Sequence, residues 1–367
     1  MEFGVFNLMG YRSPGHTTAE LLKDAVEITK AADEGGLGIS WFAEHHFSNY
    51  CVCPSPLVMA AHCAPVTKRI RLGAGVLVLP LYAPARVIAE IGMVDSMSEG
   101  RLVVGVGSGY QPFEFERFGL DLADSKEATI ELLEMIETGL TQDFIEYQGK
   151  QQRIPRSHIS ARTYNGRLPE IWIAGDAPAL HAIAVEKGYG LITNGRFAGP
   201  ATVAQRRPDF EKPFVEAGRN PNDLKWGLLR FCCVTDNKKD AEEYADNARW
   251  QLRLASAMRR REDIQEGHML VPRNPAPNEP PIDEIIANQM IGDVETCIER
   301  GIEEIRRTNA AHIALYFQIG DFSQKKALKS MDLFMSKVIP GIEKELGPLS
   351  QYSTGCLPTS QASRKTA

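Results

Sequence analysis

Residues 72–106 read LGAGVLVLPLYAPARVIAEIGMVDSMSEGRLVVGV, and this stretch decides the fold. Its two ends, 72–79 and 102–106, are apolar, valine-rich runs of the length and composition of buried strands. The segment between them, 84–97, begins with Pro84 and has the apolar spacing of a helix. Two strands joined through a helix pair in parallel by a right-handed crossover. The stretch therefore predicts one strand–helix–strand unit.

The same alternation continues on both sides of this unit. Strands are predicted at 3–8, 38–43, 72–79, 102–106, 171–174, 190–193, 226–234 and 312–317. Helices are predicted at 18–34, 56–66, 84–97, 126–140, 178–187, 240–258, 294–308 and 324–338. Eight such units favour an α/β fold of the (β/α)₈ TIM barrel type over an open doubly wound sheet.

The chain is longer than the roughly 250 residues of a typical barrel, so insertions are expected. We predict a single barrel domain over 1–347, with insertions near 143–169 and 261–290 and a polar tail at 348–367. The first insertion contains a strand-like run at 144–147 that suggests an extra strand or hairpin. The second is rich in proline and poor in apolar residues, which is typical of a functional or a disordered loop.

Composition excludes several function classes. The 367 residues include 41 Lys and Arg against 47 Asp and Glu, a formal charge of −6, which argues against a nucleic-acid or anionic membrane surface. The apolar runs are far shorter than the roughly 20 residues of a membrane span. The start lacks a basic segment followed by an apolar one, and the seven cysteines form no CxxC pair. We therefore expect a cytoplasmic protein with reduced thiols.

One candidate for chemistry is Glu44-His45-His46, which follows the second predicted strand. Active sites of such barrels lie at the carboxyl ends of the strands, where this triplet falls. Adjacent side chains on a strand point to opposite faces, and the spacing is not that of a helical HExxH motif, so no metal site is predicted. An acid–base or hydrogen-bonding histidine is favoured over a purely structural one.

A second candidate is Gly105-x-Gly107-x-Gly109-Tyr110, after the fourth strand. Tyr110 stands where the dinucleotide motif GxGxxG requires glycine, so that motif is absent here. The glycines would let the backbone approach a flat or anionic ligand. A tight turn with small residues inside the barrel explains them equally well.

A longer series of segments carries a family resemblance. In order they are Phe3-Gly4-Val5-Phe6, Trp41-x-x-Glu44-His45-His46-Phe47, Leu72-Gly73-x-Gly75-Val76-x-Val78-Leu79-Pro80, Pro84-x-Arg86, Asp95-x-Met97-Ser98-x-Gly100-Arg101, Gly105-x-Gly107-x-Gly109-Tyr110 and Phe118-Gly119. Together they resemble the bacterial luciferase-like flavin-dependent monooxygenases, and specifically the luciferase α-chain branch. The similarity is tightest over residues 1 to about 140.

The resemblance implies a barrel that binds reduced FMN, whose reaction with O₂ gives a C4a-hydroperoxide that oxygenates an organic substrate. It assigns the catalytic histidine to His45 and the neighbouring carboxylate to Glu44. It also implies a backbone bulge under the flavin ring at Gly75-Val76, often a cis peptide. Further cofactor contacts would come from the loops after the fourth and fifth strands, at Ser108, Gly109, Tyr110, Ala174, Asp176 and Ala177.

The sequence departs from luciferase at two positions in this region. Gly107 stands where luciferase has its reactive cysteine, and Ser108 stands where luciferase has an arginine that pairs with phosphate. These differences weaken any expectation of light emission from a long-chain aldehyde.

The sequence also suggests a substrate pocket and a segment that could cover it. Apolar or aromatic residues suggest a pocket for a hydrophobic or aromatic molecule, although they could equally fill the barrel: Phe6, Leu8, Tyr11, Tyr110, Trp172 and Phe231. An apolar pocket shielded from water would suit the implied intermediate, and the segment 261–290, with Gly267 as a hinge, could cover it. A surface loop is the alternative for this segment.

The family resemblance also implies partner proteins and leaves alternative functions open. Because no spare nucleotide-binding domain remains beside the barrel, a separate reductase should supply the reduced flavin. Family members usually pair through the second and third helices, here 56–66 and 84–97, so we predict a homodimer. The alternatives are a deazaflavin (F420)-dependent oxidoreductase of the same superfamily and a non-catalytic flavin-binding partner protein. An aldolase-type barrel is disfavoured because the predicted strands offer no suitable Schiff-base lysine.

Overall fold

Eight parallel strands close into a barrel in the computed structural model of the chain, which describes residues 1–175, 177–261, 264–265, 267 and 269–352. Each strand pairs in parallel with the next along the chain, and the eighth pairs with the first. Numbered in chain order, the barrel strands are β1 Glu2–Asn7, β2 Ile39–Phe42, β3 Arg71–Val78, β4 Leu102–Gly107, β5 Glu170–Ala174, β6 Gly190–Asn194, β7 Trp226–Val234 and β8 His312–Tyr316. All eight predicted strands and the predicted barrel are confirmed.

Helices surround the barrel on its outside. They are α1 Thr18–Glu34, α2 Pro56–Cys63, α3 Pro84–Met97, α4 Pro112–Phe118, α5 Ser125–Thr141, α6 Pro178–Lys187, α7 Pro200–Ala204, α8 Arg207–Glu216, α9 Lys238–Arg260, α10 Ile282–Asn288, α11 Val294–Thr308, α12 Gln324–Leu333 and α13 Ile339–Leu346. The eight predicted helices are confirmed. Five further helices were not predicted: α4, α7, α10 and α13 are too short to show a repeating apolar stripe, and α8 is interrupted by Pro213.

Two tryptophans fill the lower part of the barrel interior. The rings of Trp41 on β2 and Trp172 on β5 meet edge to face, with centroids 6.3 Å apart. Glycines on neighbouring strands make room for them: a Cβ at Gly73 would lie 2.4 Å from Trp41, and one at Gly190 would lie 2.3 Å from Trp172. Side chains larger than hydrogen are therefore excluded at these positions, and the interior is packed.

Charged side chains cover the amino-terminal end of the barrel beneath the tryptophans. Arg71 on β3 forms ion pairs with Glu2 on β1 and Glu170 on β5. His312 at the start of β8 is buried, with Nδ1 lying 3.2 Å from a Glu2 carboxylate oxygen. The indole N–H of Trp41 donates to Nε2 of His312 at 2.8 Å, so the charged layer and the tryptophan layer form one network.

The two predicted insertions differ in structure. The first contains an antiparallel hairpin, Ile145–Gln148 with Arg153–Ser157, which confirms the prediction of an extra hairpin. The second is not structureless: it contains the paired short strands Ile264–Gln265 and Val271–Pro272, and then α10. A further short strand, Met290–Gly292, pairs with the carboxyl end of β7.

The predicted polar tail is packed at its beginning. Leu349 is buried, and its carbonyl oxygen accepts a hydrogen bond from the amino group of Met1 at 2.7 Å. Residues 353–367 of the predicted tail lie outside the described residues. Among the helices that the structure describes, none combines the length and the apolar character needed to cross a membrane.

Candidate active site

The loop after β2 brings two histidines to the carboxyl end of the barrel. Residues 44–46 follow the strand directly, and the backbone N–H of His45 donates to the carbonyl oxygen of Cys53 at 3.2 Å. The two neighbouring histidine side chains diverge. Each one contacts a different buried carboxylate, so the triplet supplies two separate histidine–carboxylate pairs.

His45 is held by Glu114, a residue that the sequence analysis did not single out. Nδ1 of His45 lies 2.9 Å from Oε1 of Glu114, and the same oxygen accepts the backbone N–H of His46 at 2.8 Å. The Glu114 side chain is only 1% exposed and lies in the first turn of α4, where the helix dipole favours a negative charge. An ionised Glu114 carboxylate can only accept, so in this contact Nδ1 is the donor and Nε2 is the ring nitrogen turned away from Glu114.

Glu44 is paired with His46 and not with His45. Its Oε1 lies 3.0 Å from Nε2 of His46, and its Oε2 accepts from the Tyr82 hydroxyl at 2.6 Å and the Val78 N–H at 3.2 Å. Burial raises the pKa of Glu44, and these three partners oppose the rise. Glu44 therefore ties the loop after β2 to the end of β3, and the carboxylate beside His45 is Glu114.

Strand β3 bulges at the level of this site. The peptide bond between Gly75 and Val76 is cis, at the position that the family resemblance implies, and the pairing of β3 with β4 shifts between Ala74 and Leu77. The Val76 side chain lies against β4, where a Cβ at Gly107 would be 2.9 Å from Val76 Cγ2. The glycines of β4 thus leave the space that the Val76 side chain of the bulge occupies. Its predicted contact with a flavin ring stays a prediction.

Aromatic rings line the barrel mouth around His45. Phe6 contacts Tyr316, and Tyr316 stacks on Phe231, with ring centroids 4.8 and 4.9 Å apart. The His45 ring meets Tyr50 and Tyr110 edge to face, with centroids 4.7 and 5.8 Å away. Of the predicted pocket residues, Phe6, Tyr110 and Phe231 therefore belong to this mouth.

Of the other predicted pocket residues, Trp172 lies away from the mouth. The Trp172 indole donates to Glu170 at 3.0 Å and packs against His312, so it belongs to the floor of the barrel, which argues against a substrate contact. Leu8 lines a small cavity that it shares with Phe6, α1 and residues 318–319. The Tyr11 ring lies 6.0 Å from His16. The alternation of residues along a strand indicates which side chains point into the barrel, but it does not indicate their position along the barrel axis.

The predicted cofactor loops follow β4 and β5. Gly109 has φ +75°, and a Cβ there would lie 2.6 Å from the Phe115 ring, so only glycine fits between Ser108 and Tyr110. Ala174 ends β5, and Ala177 precedes α6 as its N-cap. Asp176 lies outside the described residues. The contacts of these residues with a cofactor stay predictions.

An apolar cluster closes one side of the mouth. It joins Phe113 of α4 to Leu270 and to a face of α9 formed by Trp250, Leu254 and Met258, and Tyr50 packs against it. The Leu270 N–H donates to Oδ1 of Asn49 at 2.8 Å. Asn49 lies four positions after His45 in the same loop. Leu270 belongs to the predicted cover, which therefore lies beside the histidine loop. Whether it moves, with Gly267 as its hinge, is still a prediction.

The side chains gathered here suit proton transfer and the binding of a ring. Within the described part of the chain, no three His, Cys, Asp or Glu side chains converge as a metal site. The mouth offers a histidine paired with a buried carboxylate, a backbone bulge opposite glycines, and a wall of aromatic rings. Such a pocket suits a flat, largely apolar ligand together with a reaction that moves a proton.

Comparisons with known proteins agree with this geometry. The family model described as luciferase-like monooxygenase matches residues 1–312. Protein y4vJ of Sinorhizobium fredii is 38% identical over 348 residues, which cover 95% of this chain and 99% of that protein. The oxygenase component of the flavin-dependent trigonelline monooxygenase of Acinetobacter baylyi is 29% identical over 67% of this chain and 68% of its own length. The crystal structure of the monooxygenase RslO1 from Streptomyces bottropensis superposes with a TM-score of 0.80 at 20% identity, covering 93% of this chain and 99% of that chain.

Proposed function

Because this chain belongs to the luciferase-like monooxygenase family, we propose that it uses reduced FMN and O₂ to oxygenate a hydrophobic or aromatic molecule. We further propose that it is the oxygenase component of a two-component system, with reduced flavin supplied by a separate reductase. The observation that carries the proposal is the His45–Glu114 pair facing an aromatic mouth beside the Gly75–Val76 bulge.

The residues of the mouth fit a flavin. The bulge of β3 projects between Phe6 and the glycines of β4, and a backbone surface of this kind can support a flat tricyclic ring. Ser108, Gly109 and Ala177 lie at the same end of the barrel, where they would hold the ribityl phosphate chain. Bound reduced flavin supplies the electrons with which one atom of O₂ reaches the substrate and the other becomes water.

The protein side chains have two tasks in this reaction. His45 holds or moves a proton at Nε2, while Glu114 fixes its ring and stabilises the charged form when a proton is taken up. The cluster of Phe113, Trp250, Leu254, Met258 and Leu270 excludes water from one side of the mouth. Both tasks are expected of an oxygenase and are unnecessary in a protein that only binds flavin.

The trigonelline relative supports the two-component proposal. It is named as an oxygenase component, which implies a second component that reduces the flavin. A planar aromatic substrate also agrees with the ring-lined mouth of this chain.

The test uses the isolated protein with photoreduced FMN, ¹⁸O₂ and a panel of planar aromatic and aliphatic compounds. We expect a product that gains one ¹⁸O atom, no turnover with NADH and oxidised FMN alone, and restored turnover when an unrelated flavin reductase is added. Turnover with NADH and no reductase would contradict the two-component proposal. Reduction of a substrate by reduced F420 without O₂, and no ¹⁸O product with FMN, would replace the proposal by the deazaflavin alternative.

A further inference from the structure

Arg196 lies on the rim of the mouth, in the loop that follows β6. Its neighbour Phe197 packs on Phe231, with ring centroids 4.9 Å apart, so the loop forms part of the aromatic wall. The Arg196 backbone has φ +50°, and its N–H donates to Asn194 Oδ1 at 2.7 Å. The side chain is exposed at the same end of the barrel as His45 and Tyr110, and its charge acts on the Tyr110 phenol.

A buried ion pair supports this loop from behind. Arg230 of β7 is 1% exposed, and its Nε donates to Glu304 of α11 at 2.9 Å. The same guanidinium donates to the Arg196 carbonyl oxygen at 3.5 Å and to the Asn288 carbonyl oxygen at 3.1 Å. A Cβ at Gly195 would lie 2.6 Å from Arg230 Nη1, so the loop rests directly on this guanidinium. The backbone at Arg196 is therefore held by buried contacts.

Other arginines near the mouth are already neutralised. Arg12 pairs with Asp246, Arg253 with Glu279, and Arg261 with Glu116. Over the residues that the structure describes, the Arg196 guanidinium contacts no carboxylate and makes no hydrogen bond. Among the described residues, a loop held by buried contacts thus carries an uncompensated cation at the rim of a pocket for flat ligands.

We propose that Arg196 binds the anionic group, a phosphate or a carboxylate, of a ligand held in the mouth. The planar guanidinium matches both groups through paired N–H donors. The inference rests on the proposed function, since it takes the ligand to be the flavin phosphate or the carboxylate of an aromatic substrate. The two sources are separated by experiment.

The first arm compares FMN with riboflavin, which lacks the phosphate, by fluorescence titration of the whole protein. Arg196→Gln is expected to weaken FMN binding about 10-fold or more and to leave riboflavin unchanged, and Arg196→Lys should recover part of the loss. Wild-type affinity for FMN should fall with added salt, and Arg196→Gln should reduce this salt dependence. Arg153→Gln, at an exposed arginine of the hairpin, is the matched control and should behave as the wild type.

The second arm compares 2-naphthoate with 2-naphthamide, first without flavin and then with riboflavin present. A substrate-binding role predicts that Arg196→Gln loses affinity for the carboxylate about 10-fold and keeps the affinity for the amide. A loss in either arm supports the proposal and identifies the source of the anion. Equal affinities of wild type and Arg196→Gln in both arms, or no preference of the wild type for either anionic ligand, would overturn it. Failure of flavin binding as such would count against the proposed function, and the flavin-free titration would still report on Arg196.

Discussion

His45 and His46 are neighbours in sequence, but their contacts predict different effects of substitution. His45→Ala removes the proton-carrying ring, so turnover should fall on the order of 10²–10⁴-fold while reduced FMN still binds. His46→Ala leaves Glu44 without one of its three partners, so it should lower thermal stability or flavin affinity. Steady-state turnover and flavin titration on both variants make the comparison.

Glu114→Gln serves as the companion variant, because it keeps the size of the side chain and removes the charge beside Nδ1. We expect turnover to fall with flavin affinity retained, and Glu44→Gln to affect stability first. Near-normal turnover in His45→Ala would leave His45 as a structural residue.

The amino-terminal end of the barrel makes a prediction about acid stability. Burial alone would raise the pKa of Glu2, but contacts with His312 and Arg71 outweigh it and lower the pKa from 4.5 to about 2. The folded state therefore favours ionised Glu2. Its contribution to stability is present above about pH 4.5 and is lost as the pH falls towards 2.

The melting temperature of Glu2→Gln should therefore lie below that of the wild type at about pH 5, and the gap should narrow by about pH 3. Glu146→Gln, at an exposed glutamate of the hairpin, is the control. A gap of constant size across this range would mean that the pKa of Glu2 is not lowered in the folded state.

At the scale of elements, Leu270 and Glu279 of the segment 261–290 contact helix α9 at one side of the mouth. Leu270 packs on α9 and donates to Asn49, and the Arg253 guanidinium donates to Glu279 at 2.9 Å. If this segment covers a bound ligand, limited proteolysis should cut within 261–290 in the free protein and more slowly with reduced FMN and substrate. Cleavage in the hairpin turn at 149–152 is the internal control and should keep its rate. If the cleavage rate within 261–290 is the same with and without reduced FMN and substrate, the segment is an ordinary surface loop.

The helices that could be predicted from the sequence are longer than most of those that could not. Each barrel strand is a largely apolar run, and α1, α3, α6 and α11 match their predicted bounds because several turns repeat the same spacing. Helix α4 has seven residues and no readable stripe, so its Glu114 could not be related to His45, 69 positions earlier. Trp172 is a large aromatic residue of the kind that lines ligand pockets, and only its packing against His312 shows that it lies on the floor of the barrel. An acidic residue at the start of a short helix after β4 was the one signal that could have indicated Glu114.

At the scale of the whole molecule, α2 and α3 present an apolar outer face. Val58 on α2 is 66% exposed, and Met93 and Met97 on α3 are 49% and 54% exposed. The two helices pack side by side. Such a patch commonly marks a protein interface, so we expect the chain to form a homodimer through it.

Sedimentation at micromolar concentration should give a dimer for the wild type and a monomer for Val58→Glu/Met97→Glu. Val215→Glu, which changes a valine of α8 that is 63% exposed, should remain dimeric. A monomeric wild type, or a double variant that still dimerises, would contradict the predicted interface.

The filled floor of the barrel also has a kinetic consequence. Trp41, Trp172 and the charged layer around Arg71 leave the mouth as the one entrance along the barrel axis in the part of the chain that the structure describes. Two ligands that enter through the same opening bind and dissociate in a fixed order. The ligand that binds deeper must bind first and dissociate last. If the proposed function holds, oxidised flavin bound against the Gly75–Val76 bulge would leave only after the product in front of it, so slow product release would limit how fast the next reduced flavin binds.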